Sequence, residues 1–243
     1  MVYSFKAKTV IVIGGTTGIG RAICELFQKE ECELIYTGRL KKPVNPLPEP
    51  AQYQQLDMAD NASIERFISE VLPKLQSPAV MINNAGIQLR SPVESMSMDN
   101  LNSTLQINLA GPFRLIQAVI PYMKKKGGGR IVNIGSVAGI ITKPEQASYS
   151  ASKAALMSMT RTLAVEMAPH NILVNVICPG TTLTAMVDNI LNEEQKIAIV
   201  KAVPIGRLAR PDEIAEVVLF FASEINTYIT GQAIIVDGGY TLL

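Results

Sequence analysis

Thr9-Val10-Ile11-Val12-Ile13-Gly14-Gly15-Thr16-Thr17-Gly18-Ile19-Gly20 is the stretch from which the rest of the chain is read. Five β-branched residues predict a short strand, and it runs straight into a glycine-rich turn, after which Arg21–Lys29 continues with helical periodicity. Glycines let a backbone turn sharply and come close to a pyrophosphate, whose charge the amides and dipole of the following helix N-terminus can meet. A tight strand-to-helix turn would also use glycines, so the motif needs support from the rest of the sequence.

Outward from that turn, short β-rich apolar runs alternate with longer amphipathic ones. Strands are predicted near Thr9–Ile13, Glu33–Thr37, Tyr53–Leu56, Ala79–Ile82, Arg130–Ile134, Ile172–Ile177 and Ala233–Val236. Apolar residues at successive strand positions mark burial on both faces, as in a parallel sheet with helices on each side. The expectation is an α/β chain forming one domain over 1–243, a doubly wound Rossmann-type fold with a seven-stranded parallel sheet flanked by helices. Leu40–Pro50, with prolines at 43, 46, 48 and 50, cannot form a helix interior, so the crossover between the second and third strands is lost or reduced to a turn. After Pro179-Gly180, Thr181–Ala202 mixes apolar and charged residues and reads as a helical lid.

Composition narrows the function classes. An apolar fraction of 48% with 18% charged residues supplies a buried core and excludes a disordered chain. The formal net charge is +1 and Lys/Arg are not concentrated enough to follow a phosphate backbone, so nucleic acid is not an expected partner. Lys124-Lys125-Lys126 reads as a solvated helix end. Cys24, Cys32 and Cys178 lack paired spacing and read as reduced, buried fillers. Met1–Lys6 has no apolar signal core and no run is long enough to span a bilayer, so no membrane is expected and a cytoplasmic location is. With a single histidine, His170, a His-based triad or a multi-histidine metal site is excluded, and no metal is expected.

Two further stretches support a dinucleotide. Asn83-Asn84-Ala85-Gly86 follows the fourth strand, at the sheet edge where such folds bind ligands, although a loop bonding its own backbone would read the same way. Asp57, at the end of the third strand, can accept from an adenine amino group or cap its own loop. About 20 residues beyond the glycine turn, where an acidic side chain would hold the ribose 2′-hydroxyl of NAD, stand Gly38 and Arg39. Arg39, helped by Lys41 or Lys42, can pair with a 2′-phosphate. NADP(H) is therefore favoured, with NAD(H) as the alternative should Arg39 be only a solvated cation.

Tyr149-Ser150-Ala151-Ser152-Lys153 opens a helical segment running to about Met167 and places Tyr and Lys on one face. An ammonium beside a phenol is expected to lower its pKa and make a usable acid/base. This spacing also arises by chance in many helices, but Ser136 lies 13 residues before Tyr149, after the fifth strand, and both can reach one sheet edge. Asn108 lies in an apolar helical setting, where an amide needs a specific partner.

In this combination and order, the sequence resembles the short-chain dehydrogenase/reductase family over essentially its whole length. The matching pieces are Gly14, Gly18 and Gly20, the Asn83–Gly86 motif, Asn108, Ser136, Tyr149 with Lys153, Pro179-Gly180, Ile229–Gln232 and Val236–Gly239. The resemblance implies hydride transfer between a nicotinamide and a ketone or secondary alcohol. Tyr149 would be the acid/base, Ser136 would orient the carbonyl, Lys153 would also bind the nicotinamide ribose, and Asn108 would anchor a water in a proton relay. Cofactor contacts are expected from Gly14, Thr16, Thr17, Gly18, Ile19, Gly20, Arg39, Asp57, Met58, Asn84, Ala85, Gly86, Tyr149, Lys153, Pro179, Gly180, Thr182 and Thr184. The family also implies a homotetramer, or a homodimer, built through helices near Leu101–Lys124 and Tyr149–Met167 and through the C-terminal strand.

The chain departs from the family pattern at Ile13, usually Thr, at Thr17, where many NADP users carry Lys or Arg, and in the proline-rich Leu40–Pro50. The leading expectation is an NADPH-dependent carbonyl reductase of the 3-oxoacyl type, although His170 stands where carrier-protein reductases often have an Arg. The alternatives are an NAD-dependent dehydrogenase of a cyclic diol or sugar alcohol and, in another class, a catalytically silent cofactor-binding sensor.

Overall fold

The computed structural model describes residues 3–75 and 78–242. The ends of the 1–243 range and of the Met1–Lys6 reading, and residues 76–77, lie outside the described residues.

Seven strands form one parallel sheet: β1 (Thr9–Ile13), β2 (Glu33–Gly38), β3 (Gln52–Gln55), β4 (Pro78–Asn83), β5 (Gly129–Ile134), β6 (Ile172–Pro179) and β7 (Ala233–Val236), in the order β3-β2-β1-β4-β5-β6-β7. Alternation along each strand sends side chains to two cores. Val10, Val12, Leu34, Tyr36, Val80 and Ile82 pack with helices α1 (Gly18–Phe27) and α8 (Pro211–Ala222). Ile11, Ile13, Ile35, Met81, Ile131 and Val174 face the other layer, α2 (Asn61–Arg66), α4 (Gly111–Lys125) and α5 (Ala147–Met167). All five β1 residues are buried, which is why that strand reads as an unbroken apolar run. Only the edge strands differ from the two-sided burial expected of them: β3 is half exposed and β7 is partly covered.

The order turns back between β1 and β4, so the sheet splits there at its carboxyl edge, the point where ligands enter such folds. Between β2 and β3 no helix forms, as the prolines require, and side-chain bonds fix the loop instead. Arg21 donates to the Asn45 carbonyl and Gln28 to that of Pro48, each at 2.7 Å, while the Leu47 N–H donates to the Tyr36 hydroxyl at 3.0 Å.

The segment expected as one helix from Leu101 is interrupted. Helix α3 (Met98–Leu105) passes through a wide π turn, Gln106–Ala110, before α4 begins. Thr181–Ala202 holds two short helices, α6 (Ala185–Ile190) and α7 (Glu193–Ala202), neither with a buried residue.

Candidate active site

Gly14 and Gly18 hold φ of 79° and 55°, in the left-handed region that glycine tolerates. A Cβ on Gly14 would lie 2.8 Å from the Ala85 backbone, and one on Gly20 would lie 2.1 Å from the Gly14 carbonyl oxygen. Nothing larger than hydrogen fits either position. The turn is tied to its surroundings at three points. Its Gly14 and Gly15 N–H groups donate to the Thr37 hydroxyl and carbonyl, at 3.1 and 2.9 Å, and the Asn84 amide donates to the Gly14 carbonyl at 2.7 Å. Asn84 thus serves the turn rather than its own loop. The result is a cradle of backbone open to the cleft, with the N-terminus of α1 behind it, and it fits a pyrophosphate.

A cleft of about 840 Å³ runs from this turn along the carboxyl edge of the sheet. Every residue assigned to cofactor contact borders it except Gly20, which packs beneath the turn. At one end lie Arg39, Asp57 and Met58. Arg39 is exposed and has no ion pair among the described residues. Its backbone is held on both sides, since the Tyr53 hydroxyl bonds the Gly38 carbonyl at 2.8 Å and also that of Leu40, and Gln55 donates to the Arg39 carbonyl at 3.1 Å. Asp57 Oδ1 accepts from the Ala59 N–H at 2.9 Å, so one oxygen is spent on its own loop. Met58 is buried in the core beneath Gly111.

At the other end, β5 delivers Ser136, whose hydroxyl accepts from the Ala138 N–H at 3.1 Å and caps the short turn Val137–Gly139. Helix α5 carries Tyr149 and Lys153 into the same cleft. It is pinned to the sheet by a polar chain through apolar strands: Asn83 donates to Asn133 at 2.8 Å and Asn133 to the Thr160 hydroxyl at 2.9 Å. Asparagines interrupting otherwise apolar β runs were a visible signal of this chain.

The Lys153 ammonium lies over the face of the Tyr149 ring and is bonded to the backbone. Nζ donates to the Ile134 carbonyl at 2.8 Å and lies 5.7 Å from the Tyr149 ring centroid. The expected lowering of the Tyr149 pKa is therefore corrected: burial pushes the phenol up, and Ser136 only partly opposes it. Burial also depresses Lys153, to about 8.

Asn108 sits buried in the π turn. Its side-chain oxygen accepts from the Ile87 N–H at 2.8 Å, and its amide donates to the Ile87 carbonyl at 2.9 Å and the Ser152 hydroxyl at 3.0 Å. The side chain thus fastens the loop after β4 to α5. On the lid side, Thr182 bonds the Gly180 carbonyl at 3.1 Å, and Thr184 caps α6 with its methyl group beside Gly18. Gln88, Arg90, Lys143, Gln146 and Tyr240 border the cleft as well. The sequence does not single out these side chains, because loop shape decides which ones turn inward.

The cysteines are free and buried. Among the described residues no group of three or more His, Cys, Asp or Glu is placed to hold a metal, and no helix is long and apolar enough to cross a membrane.

Comparison with known proteins agrees with this geometry. Residues 14–241 match the family described as Enoyl-(Acyl carrier protein) reductase. The chain is 35% identical to the 3-oxoacyl-[acyl-carrier-protein] reductase FabG of Thermotoga maritima, covering 98% of this chain and 99% of that one. It is 33% identical to the NAD-dependent glycerol dehydrogenase of Listeria innocua, over 99% and 96%. A structure from Beutenbergia cavernae, described as an NAD(P) dependent gluconate 5-dehydrogenase with bound NADP, superposes with a TM-score of 0.94 at 30% identity over the full length of both chains. The aldohexose dehydrogenase of Thermoplasma acidophilum superposes with a TM-score of 0.91 at 31% identity, over 99% and 97%. A near full-length match at this identity, with a TM-score of 0.94 to a solved relative, establishes that the chain belongs to the short-chain dehydrogenase/reductase family and is an oxidoreductase acting on CH–OH or ketone groups.

Proposed function

We propose that the chain is an NADPH-dependent carbonyl reductase, with 3-oxoacyl compounds as the substrate class its relatives suggest, working as a single Rossmann-type domain in the cytoplasm. The observation that carries this reading is the meeting in one cleft of the glycine cradle, Ser136, Tyr149 and Lys153. The cofactor, when bound, supplies a hydride. The chain's own groups manage the proton and the orientation: the Ser136 hydroxyl donates to the ketone oxygen, and Tyr149 protonates that oxygen as it becomes an alkoxide. A phenol held up by burial stays protonated at neutral pH, which suits the acid role that reduction asks of it.

Lys153 anchors α5 through the Ile134 carbonyl and borders the cleft, where its remaining N–H groups would hold the nicotinamide ribose. Asn108 has both amide hydrogens committed to protein, so any water it holds falls to its backbone or to a remaining lone pair. Arg39, free of an acidic partner at the end of β2, supports NADP(H), with NAD(H) as the lesser cofactor. Residues 181–202 act as the lid: Leu183 and Ala209 pair at its base, and Lys196 joins Asp188 to Glu193 across its two helices.

The L. innocua glycerol dehydrogenase favours a second reading, oxidation of a diol or sugar alcohol with NAD, and the B. cavernae structure, which has NADP bound, supports only the sugar-type substrate. Nicotinamide absorbance followed with ketones, acyl thioesters, sugars and diols, each with both cofactors, separates the two. In the same assay Tyr149→Phe is expected to cost about 100-fold or more in turnover while leaving cofactor affinity nearly intact. Unchanged turnover would remove Tyr149 from the mechanism.

A further inference from the structure

The substrate end of the cleft carries charge that Ser136, Tyr149 and Lys153 do not use. Arg90 and Lys143 both border it, whereas the carboxylate on the cleft wall, Asp57, belongs to the opposite end, after β3. Arg90 is joined to Glu145, Nη2 to Oε2 at 3.1 Å, and the Ser91 N–H donates to the Glu145 carbonyl at 3.2 Å. These bonds staple the loop after β4 to the loop before α5. They occupy only part of the guanidinium, whose Nε is buried without a partner.

Two residues before Glu145, Lys143 has no ion pair among the described residues, and its Nζ lies 5.0 Å from the ring centroid of Tyr240. An aromatic face steadies an ammonium without neutralising it. Helices α6 and α7 also line the cleft, mainly with aliphatic side chains, Met186, Ile190 and Ile199, together with Gln195. The cleft therefore pairs an uncompensated cation and a partly used guanidinium with a mainly aliphatic lining.

We propose that the substrate is a small free oxo acid, whose carboxylate is held by Lys143 and Arg90 while its ketone meets Ser136 and Tyr149. This rests on the reductase reading and narrows it: a thioester, ester or neutral sugar presents no negative charge to those two side chains. Charge-assisted bonds to a carboxylate are stronger than neutral ones, and a partly enclosed cleft screens them less than open water does.

The test uses the NADPH-loaded protein with acetoacetate, 4-oxopentanoate and 5-oxohexanoate, each beside its methyl ester. Binding is read by calorimetry and turnover by absorbance. At least one acid is expected to bind and react at least tenfold better than its ester. The acid-to-ester ratio should fall below about threefold in Lys143→Gln, chiefly through KM, and should largely survive in Arg90→Lys, which keeps the charge and the reach to Glu145. If no acid outperforms its ester, or if Lys143→Gln leaves the ratio unchanged, the proposal is overturned. NADPH binding measured alone separates this failure from that of the reductase reading: esters reduced as well as acids would remove only the carboxylate, whereas a protein that does not bind NADPH would remove both.

Discussion

Tyr149 and Lys153 are both displaced from their ordinary pKa values by burial, and the displacements have opposite sign. Lys153 is charged only below about 8, so reduction is expected to decline as pH rises through that value. A pH profile of kcat/KM in the reductive direction checks this. The same depression governs stability. Between about 8 and the ordinary 10.5 the unfolded chain binds a proton that the native chain lacks, so Lys153 lowers stability in full below 8, and that loss fades as pH rises. A depression of this size corresponds to roughly 3 kcal/mol. Lys153→Met removes this penalty together with the bond to the Ile134 carbonyl, so its melting temperature relative to the parent should be more favourable at pH 7 than at pH 9.5, and it should be inactive at both. Arg39 is expected to act on affinity alone. Its guanidinium is exposed and makes no bond among the described residues, so Arg39→Ala should leave stability unchanged, weaken NADPH by tenfold or more and barely alter NADH, as read by fluorescence titration with each. Equal losses for both cofactors would make Arg39 a bystander.

Asn108 shows what an element contributes beyond its residues. The π turn between α3 and α4 inserts the side chain between the loop after β4 and α5, where three hydrogen bonds meet in a buried place. Asn108→Ala strands the Ile87 N–H and carbonyl, and a loss of about 3 kcal/mol is expected in urea unfolding, together with most of the activity. Asn108→Asp, which can still accept from Ile87 but not donate, should fall between. The proline-rich loop after β2 makes a related point. It lacks a helix, yet side chains from α1, β2 and β3 hold its carbonyls and amides, and this keeps Arg39 at the mouth of the cleft.

At the scale of the whole molecule, α4 and α5 leave Phe113 46% and Val165 77% exposed, large apolar groups on the helices through which we expect the chain to assemble as a homotetramer, with a homodimer as the smaller alternative. Val165→Glu should shift the mass measured by light scattering to a smaller species without changing the helical signal of the circular dichroism. A parent protein that is already monomeric would overturn the assembly.

Strand positions and the residues gathered along the cleft were legible in the sequence because both follow from local rules. Val10 and Ile11 must face opposite cores in any parallel sheet covered on both sides, glycines are required where a Cβ would meet the Gly14 carbonyl, and prolines forbid a helix after β2. What depended on residues far apart in the chain was not legible. Asn84 bonding Gly14, Asn83 bonding Asn133 and Lys153 turning to Ile134 are meetings across the sheet, and the upward pKa of Tyr149 follows from how much protein surrounds it. The sequence alone determined which residue types meet at the carboxyl edge of the sheet. Their protonation, their partners and the charge facing the substrate were decided only by tertiary structure, because desolvation and hydrogen bonding depend on distances that no local pattern encodes.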